Sequence, residues 1–417
     1  MKSAYTRLKL ACYTTNVTMS VVGNLSPVLF LTFRSLYGIS YTLLGLLILV
    51  NFVTQLTVDL VFSFFSHKFN IPLAVKMTPM IAVVGLILYA LAPVLFAENV
   101  YLGLLLGTIV FSAASGFAEV LISPVIAAIP SKDPDREMSK LHSIYAWGVV
   151  FVIVVSTVFL LLCGKEHWQW LAVLFASVPL ISFILFFGAV IPQMETQEKV
   201  SGVLSFLKDK KLWVCFFGIF LGGAAECTMA QWSSGYLEQA LGIPKVWGDI
   251  CGVALFAVML GLGRSLYAKR GNNIRGVLFL GAIGATVCYL VAALLNIPII
   301  GLIACAFTGF CVSMLWPGSL VIASERFPSG GVFIFAMMAA GGDLGASIAP
   351  QLVGIITDIA STSPTVVTLA ADIGLMPEQI GMKLGMLIGA LFPTIAIPLY
   401  LHIIKADKKT GVTRQTP

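Results

Sequence analysis

Five ionisable residues lie deep inside long apolar stretches: Asp59, Glu119, Glu226, Arg264 and Asp343. An ionised side chain at the centre of a bilayer costs about 2.5–3.5 kcal/mol on insertion scales, so groups kept at that depth line water, a partner or a solute path. A carboxyl placed there can carry a proton or accept hydrogen bonds from the hydroxyls of a polar solute. Glu119, in Gly116-Phe117-Ala118-Glu119-Val120-Leu121-Ile122-Ser123-Pro124, has no charged residue within ten positions on either side. It is the leading candidate for that chemistry, and a neutral carboxyl bonded to a neighbouring helix is the structural alternative. Glu226 sits between the small residues Gly222-Gly223-Ala224-Ala225 and the pair Gln231-Trp232. Carboxyl and amide groups bond hydroxyls while an indole covers the C–H face of a sugar ring, so this mixture suits a sugar site; Trp232 reads equally as an interfacial anchor. Arg264 and Asp343 read as a charge network that controls closure near the cytoplasmic end, and Asp59, one turn after Gln55, reads as a gate residue. Asn24, Asn51, His142, Tyr145 and Trp147 add polar or aromatic surface, with His142 open to the plainer reading of a residue at a helix start.

The elements that must position these groups are membrane spans. The chain has 417 residues, 59% of them apolar and 11% charged, a balance that excludes an ordinary water-facing surface and with it a soluble enzyme. About 20 apolar residues cross a bilayer, and apolar segments near 11–33, 41–65, 72–96, 100–129, 142–163 and 168–191 make six spans. Six more fall near 212–237, 246–267, 276–296, 298–323, 331–359 and 382–404. The fold class is therefore an all-α polytopic membrane protein with twelve transmembrane helices in two bundles of six. The segment from Ala360 to Gly381 reads as an ordered or amphipathic outer loop. The basic start followed by an apolar run reads as a first span rather than a signal peptide, because the run is long and holds Asn16 and Asn24.

Twenty of the 25 Lys and Arg residues fall on the side that holds both termini and the breaks after even-numbered spans, which places both termini in the cytoplasm of a cell membrane. The net charge of +6 is scattered in short clusters between spans, not gathered in a stripe for nucleic acid. The eight cysteines read as packed thiols without zinc spacing or a disulfide framework. The four histidines are dispersed, and no H-E-x-x-H, G-x-S-x-G or Walker A pattern occurs, so no catalytic centre, metal, cofactor or ATP site is expected. Residues 1–195 form a first bundle, 196–211 a cationic cytoplasmic linker and 212–417 a second bundle with its tail. A weak internal repeat supports the division. Gly38-Ile39 corresponds to Gly242-Ile243, and Gly116-Phe117 with Pro124 to Gly309-Phe310 with Pro317. Gly103/Gly107, Gly218/Gly222, Gly341/Gly345 and Gly381/Gly385 have the spacing of close helix contacts. Two six-helix halves with a mid-depth site describe a transporter whose partners are a small solute, protons and the lipid bilayer, acting as a monomer.

Taken in order along the chain, these residues resemble the major facilitator superfamily, and within it the fucose permease-like branch of sugar:proton symporters. Gly23-Asn24-Leu25-Ser26-Pro27-Val28-Leu29, Gly38-Ile39-Ser40-Tyr41-Thr42, Gly116-Phe117-Ala118-Glu119 and Leu141-His142 with Trp147-Gly148 carry the likeness in the first half. Ala225-Glu226, Trp232, Tyr236-Leu237-Glu238, Gly263-Arg264, Trp316-Pro317, Ser324-Glu325-Arg326-Phe327-Pro328 and Pro350 carry it in the second. The resemblance implies alternating access and proton-coupled import of a sugar-like solute, with Glu119 as the acid linking the two. Proton-driven export of drugs or metabolites on the same fold, and a non-transporting membrane sensor, are the competing readings. Two departures stand out. Pro27 occupies the place where the branch has an acid in its first span, and the glycine-rich acidic-basic motif after span 2 is reduced to Ser66-His67-Lys68-Phe69-Asn70.

Overall fold

The computed structural model describes residues 5–65, 69–130, 134–192, 207–270, 273–327 and 331–409. The remnant motif at 66–68 and most of the expected linker lie outside them. The chain divides into two compact units, Met1–Lys199 and Val200–Pro417, and the described residues are helical with no strand.

The first unit contains α1 (Thr6–Tyr37), α2 (Tyr41–Phe65), α3 (Ile71–Ala90), α4 (Val100–Ala128), α5 (Pro134–Cys163) and α6 (Trp168–Phe186). The second contains α7 (Lys210–Leu241), α8 (Leu255–Arg270), α9 (Ile274–Leu294), α10 (Pro298–Val312), α11 (Leu315–Arg326), α12 (Gly331–Thr362), α13 (Pro364–Ile373) and α14 (Pro377–Lys409). Ten helical stretches are long and apolar enough to cross a membrane, and α1 adds an eleventh when its two parts are taken as one span. Those parts meet at 45° after Val28, because Pro27 lacks an N–H and its ring crowds the carbonyl one turn back. α5 is 30 residues long, and Trp147–Cys163 is its continuous apolar stretch among the described residues. The expected outer loop carries the short helix α13, which ends on Gly374 in the left-handed region.

Hydropathy alone does not say which spans touch; small residues do. In the first unit α1 packs along α5 and α6, α4 packs along α2 and α3, and α3 packs along α6. The same pairings recur in the second: α7 with α12 and α14, α10 with α8 and α9, and α9 with α14. The repeat is also visible in the backbone. Gly38 and Gly242 end α1 and α7 with φ 66° and ψ 21° in both cases, a conformation that costs a side chain-bearing residue energy. One pairing differs. α12 and α14 lie against each other through Gly381 and Gly385, where a Cβ would come within 2.6 Å of the Thr357 carbonyl and 2.7 Å of its hydroxyl. The corresponding α5 and α6 scarcely touch.

Several buried polar groups in each unit are satisfied from within it, as the absence of water in a bilayer favours. In the first, Phe33, Tyr89 and Trp168 form an edge-to-face cluster with centroids 4.9–5.9 Å apart, while Tyr89 bonds Ser26 at 2.8 Å and the Trp168 indole donates to Tyr37 at 3.0 Å. In the second, rings on surrounding helices anchor α7. Tyr289 donates to the Ala225 carbonyl at 2.7 Å and Tyr400 to that of Gly218 at 3.0 Å. α7 returns a bond from Trp232 to the Pro350 carbonyl at 2.9 Å. Arg275 and Glu325, 2.9 Å apart, tie the start of α9 to the end of α11.

Candidate functional site

In the first unit the polar residues of α2 and α4 form a ladder. Asn51, Gln55 and Asp59 recur every four residues on one face of α2, and Ser112, Gly116 and Glu119 recur at helical spacing on one face of α4. Gly116 brings the helices together: a Cβ there would lie 2.9 Å from the Val58 Cβ and 3.0 Å from the Gln55 carbonyl. At the first rung the Asn51 Oδ1 accepts from Ser112 Oγ at 2.5 Å and from Gln55 Nε2 at 3.1 Å. At the last rung the carboxylates of Asp59 and Glu119 approach within 4.8 Å. Asp59 Oδ1 is buried and makes no hydrogen bond among the described residues, whereas the Glu119 side chain is exposed. Sequence analysis assigns Glu119 to solute or proton binding and Asp59 with Gln55 to a gate; the structure sets all three on one seam.

The second unit pairs two residues that sequence analysis keeps apart. Arg264 on α8 reaches Glu226, midway along α7, with Nη2 3.2 Å and 3.3 Å from the two carboxylate oxygens. It therefore does not stand in a separate network at the helix end. Its Nε donates to the Ser313 carbonyl at 3.1 Å. That carbonyl is free for a covalent reason: Pro317, four residues on, has no N–H to give it. The span breaks at Ser313-Met314, between α10 and α11, and the guanidinium supplies the missing donor. Gly263 lets α8 lie flush on the break, since a Cβ there would collide with the Ser313 side chain. The Arg264 side chain is 43% exposed and that of Glu226 16%. Asp343 is buried on the neighbouring seam of α7 and α12, beside Gly342, whose carbonyl lies 2.5 Å from where a Cβ of Gly223 would be.

Other expected site residues lie elsewhere. Trp232 is 1% exposed and bridges α7 to α12, which leaves no indole face for a sugar ring to cover; the interfacial-anchor alternative fails for the same reason. Trp232→Phe is expected to remove the bond to Pro350 and cost about 1–3 kcal/mol, read as a lower unfolding temperature in detergent; an unchanged temperature would discount the bond. Trp147, 70% exposed, walls an apolar groove of about 390 Å³ between α5 and α6, over Thr14 and Val17 of α1. The groove offers a solute little hydrogen bonding, because the Thr14 hydroxyl bonds the Leu10 and Ala11 carbonyls of its own helix. Asn24 is buried and donates to the Ser20 carbonyl at 2.9 Å. Gln231 is buried on α7. His142 lies on α5, with its side chain outside the described residues.

Sequence analysis misses a second buried charge. Asp249 is fully buried in the π-helical turn Gly248–Ala254. It pairs with Lys245 at 3.3 Å and accepts from the Ser234 hydroxyl. Lys245 and Asp249 stand four residues apart in the sequence, and nothing there marks the π turn. Ser112 and Ser313 are missed too. The helical spacing of Ser112 from Gly116 and Glu119, and that of Ser313 from Pro317, were the available signals.

Apolar helices in two repeat-related units, each holding ionisable side chains inside its spans, define a polytopic membrane transporter. Residues 11–350 match the Major Facilitator Superfamily, and the chain belongs to that family. No curated protein sequence matches it. Solved structures with this fold include a bacterial homologue of the human lysosomal transporter Spinster, inward-facing and occupied, with TM-score 0.77, 13% identity and all of both chains covered. A D-xylose–proton symporter aligns with TM-score 0.72 and 14% identity over 95% of this chain and 99% of its own. The E. coli fucose:proton symporter aligns with TM-score 0.54 and 15% identity over 94% and 99%.

Proposed function

We propose that the protein is a secondary active transporter that moves a small polar solute, a sugar or sugar derivative, by proton-coupled alternating access. The observation that carries this reading is the Asp59–Glu119 carboxylate pair, held within 4.8 Å inside the spans of the first unit. Two such groups, one exposed and one with a buried oxygen lacking a partner, suit the uptake and release of a proton. Asn51, Gln55 and Ser112 line the same seam with amide and hydroxyl groups of the kind that bond a polyol. The membrane potential supplies about 2.3 kcal/mol per charge per 100 mV, enough to drive useful accumulation. Both termini lie in the cytoplasm of the cell membrane by the count of positive charges, and the chain works as a monomer. Counterflow in liposomes, followed by uptake under an imposed pH gradient, tests the reading. Sugar exchange that becomes uphill when the gradient is applied supports it, and dye efflux without sugar exchange favours an exporter.

A further inference from the structure

Arg264 is only half committed. A guanidinium carries five N–H donors in a planar fork; here Nε serves the Ser313 carbonyl and Nη2 serves Glu226. Nη1 makes no hydrogen bond among the described residues, while Nη2 is directed at both oxygens of Glu226. Nη1, together with Nη2 once Glu226 releases it, makes up the end of the fork, an arrangement matched to the two oxygens of a carboxylate. The end is open. Arg264 is 43% exposed, and one turn before it a Cβ at Gly261 would meet nothing within 4 Å.

We propose, resting on the transporter reading above, that the solute carries a carboxylate: a sugar acid that docks first on Nη1 of Arg264 and then on the whole end of its fork as Glu226 takes up a proton and releases Nη2. The proton comes from water on the side from which the solute enters, and the guanidinium exchanges one carboxylate partner for another. The local charge then stays balanced. Before docking, Arg264 and Glu226 form a neutral pair; after docking, the solute carboxylate neutralises the guanidinium and the protonated Glu226 is uncharged. Without that proton, two carboxylates would face one guanidinium inside the span. Arg264 from α8 is the charged group that acts on Glu226, and Cys227, next to Glu226 on its own helix, also feels Asp343 from α12. The Tyr289 hydroxyl from α9 is committed to the Ala225 carbonyl, and α11 presents the uncharged Trp316 against Gly223.

The purified full chain in liposomes, loaded with a trapped pH dye, tests this with D-glucuronate, D-galacturonate and D-gluconate against D-glucose and D-galactose. At least one acid is expected to exchange in counterflow at concentrations where the neutral sugars do not, and its entry is expected to acidify the lumen. Arg264→Gln is expected to weaken that exchange at least about 10-fold, with Arg264→Lys intermediate because an ammonium lacks the fork. Arg264→Gln combined with Glu226→Gln removes both charges together, so that no unpaired charge is buried and the loss of binding can be read in a folded protein. Exchange of neutral sugars but not the acids overturns the inference and leaves the transporter reading standing. Exchange of none of the five overturns both. Acid exchange undiminished in the double variant, or lumen acidification undiminished in Glu226→Gln, also overturns it.

Discussion

Glu119→Gln is expected to lower the accumulation ratio under a pH gradient sharply while counterflow continues. The amide keeps the size and much of the hydrogen bonding of the carboxyl but cannot give up or accept the proton. Glu119 and Asp59 stand within 4.8 Å on facing helices, so replacing one changes what the other faces. Asp59→Asn is expected to produce the same uncoupling in milder form, because Glu119 keeps its exposed carboxyl. The measurement is initial uptake and steady-state accumulation in liposomes, side by side with exchange. Full uphill accumulation by Glu119→Gln would remove this residue from the coupling step, and loss of exchange together with accumulation would mean that it binds solute.

Gly345→Leu is expected to be the most damaging single change to the fold. A Cβ at Gly345 would press into the Phe220 carbonyl and lie 3.0 Å from the Ala224 amide nitrogen. Both are backbone atoms of α7, so no rotamer change relieves the clash. α7 and α12 would have to separate along a seam that also holds the Trp232–Pro350 bond and Asp343. Overpacking of this kind costs about 1–3 kcal/mol and occasionally more, and contact with backbone places it at the upper end. The result is measured as recovery of monodisperse protein from detergent and as its unfolding temperature. Gly261→Leu, where a Cβ meets nothing within 4 Å, is the control and is expected to fold. A well-behaved Gly345→Leu would mean that this seam yields more readily than its contacts imply.

The spans were legible because bilayer thickness imposes a length and a composition that a sliding window detects. The repeat was legible where chemistry forces one residue type, as at Gly38 and Gly242, which share a left-handed helix end. Gly116 and Gly309 were legible in the same way, since each lets its helix approach the second span of its own unit. The pairings inside the site were not. Periodicity shows that Asp59 shares a face with Gln55, but not that this face meets Glu119, sixty residues on. The Glu226–Arg264 contact was hidden for the same reason, and further because it depends on a carbonyl freed by Pro317 on a third helix. Trp232 was misread because an aromatic beside an amide looks the same whether it lines an opening or bridges two helices. The turn that buries Asp249 follows from one extra residue per turn, which no local composition announces.

The parting of α5 from α6 gives the two bundles different compliance. In the second unit α12 is fastened on two sides, by α7 and by α14, so that tilting it would tear a glycine-lined seam. α5 is fastened chiefly along α1, with a lighter hold on α4, and can lean with little disturbance of α6, an oily furrow changing width beside it. Bending strain therefore falls unequally, and the first bundle is the softer spring.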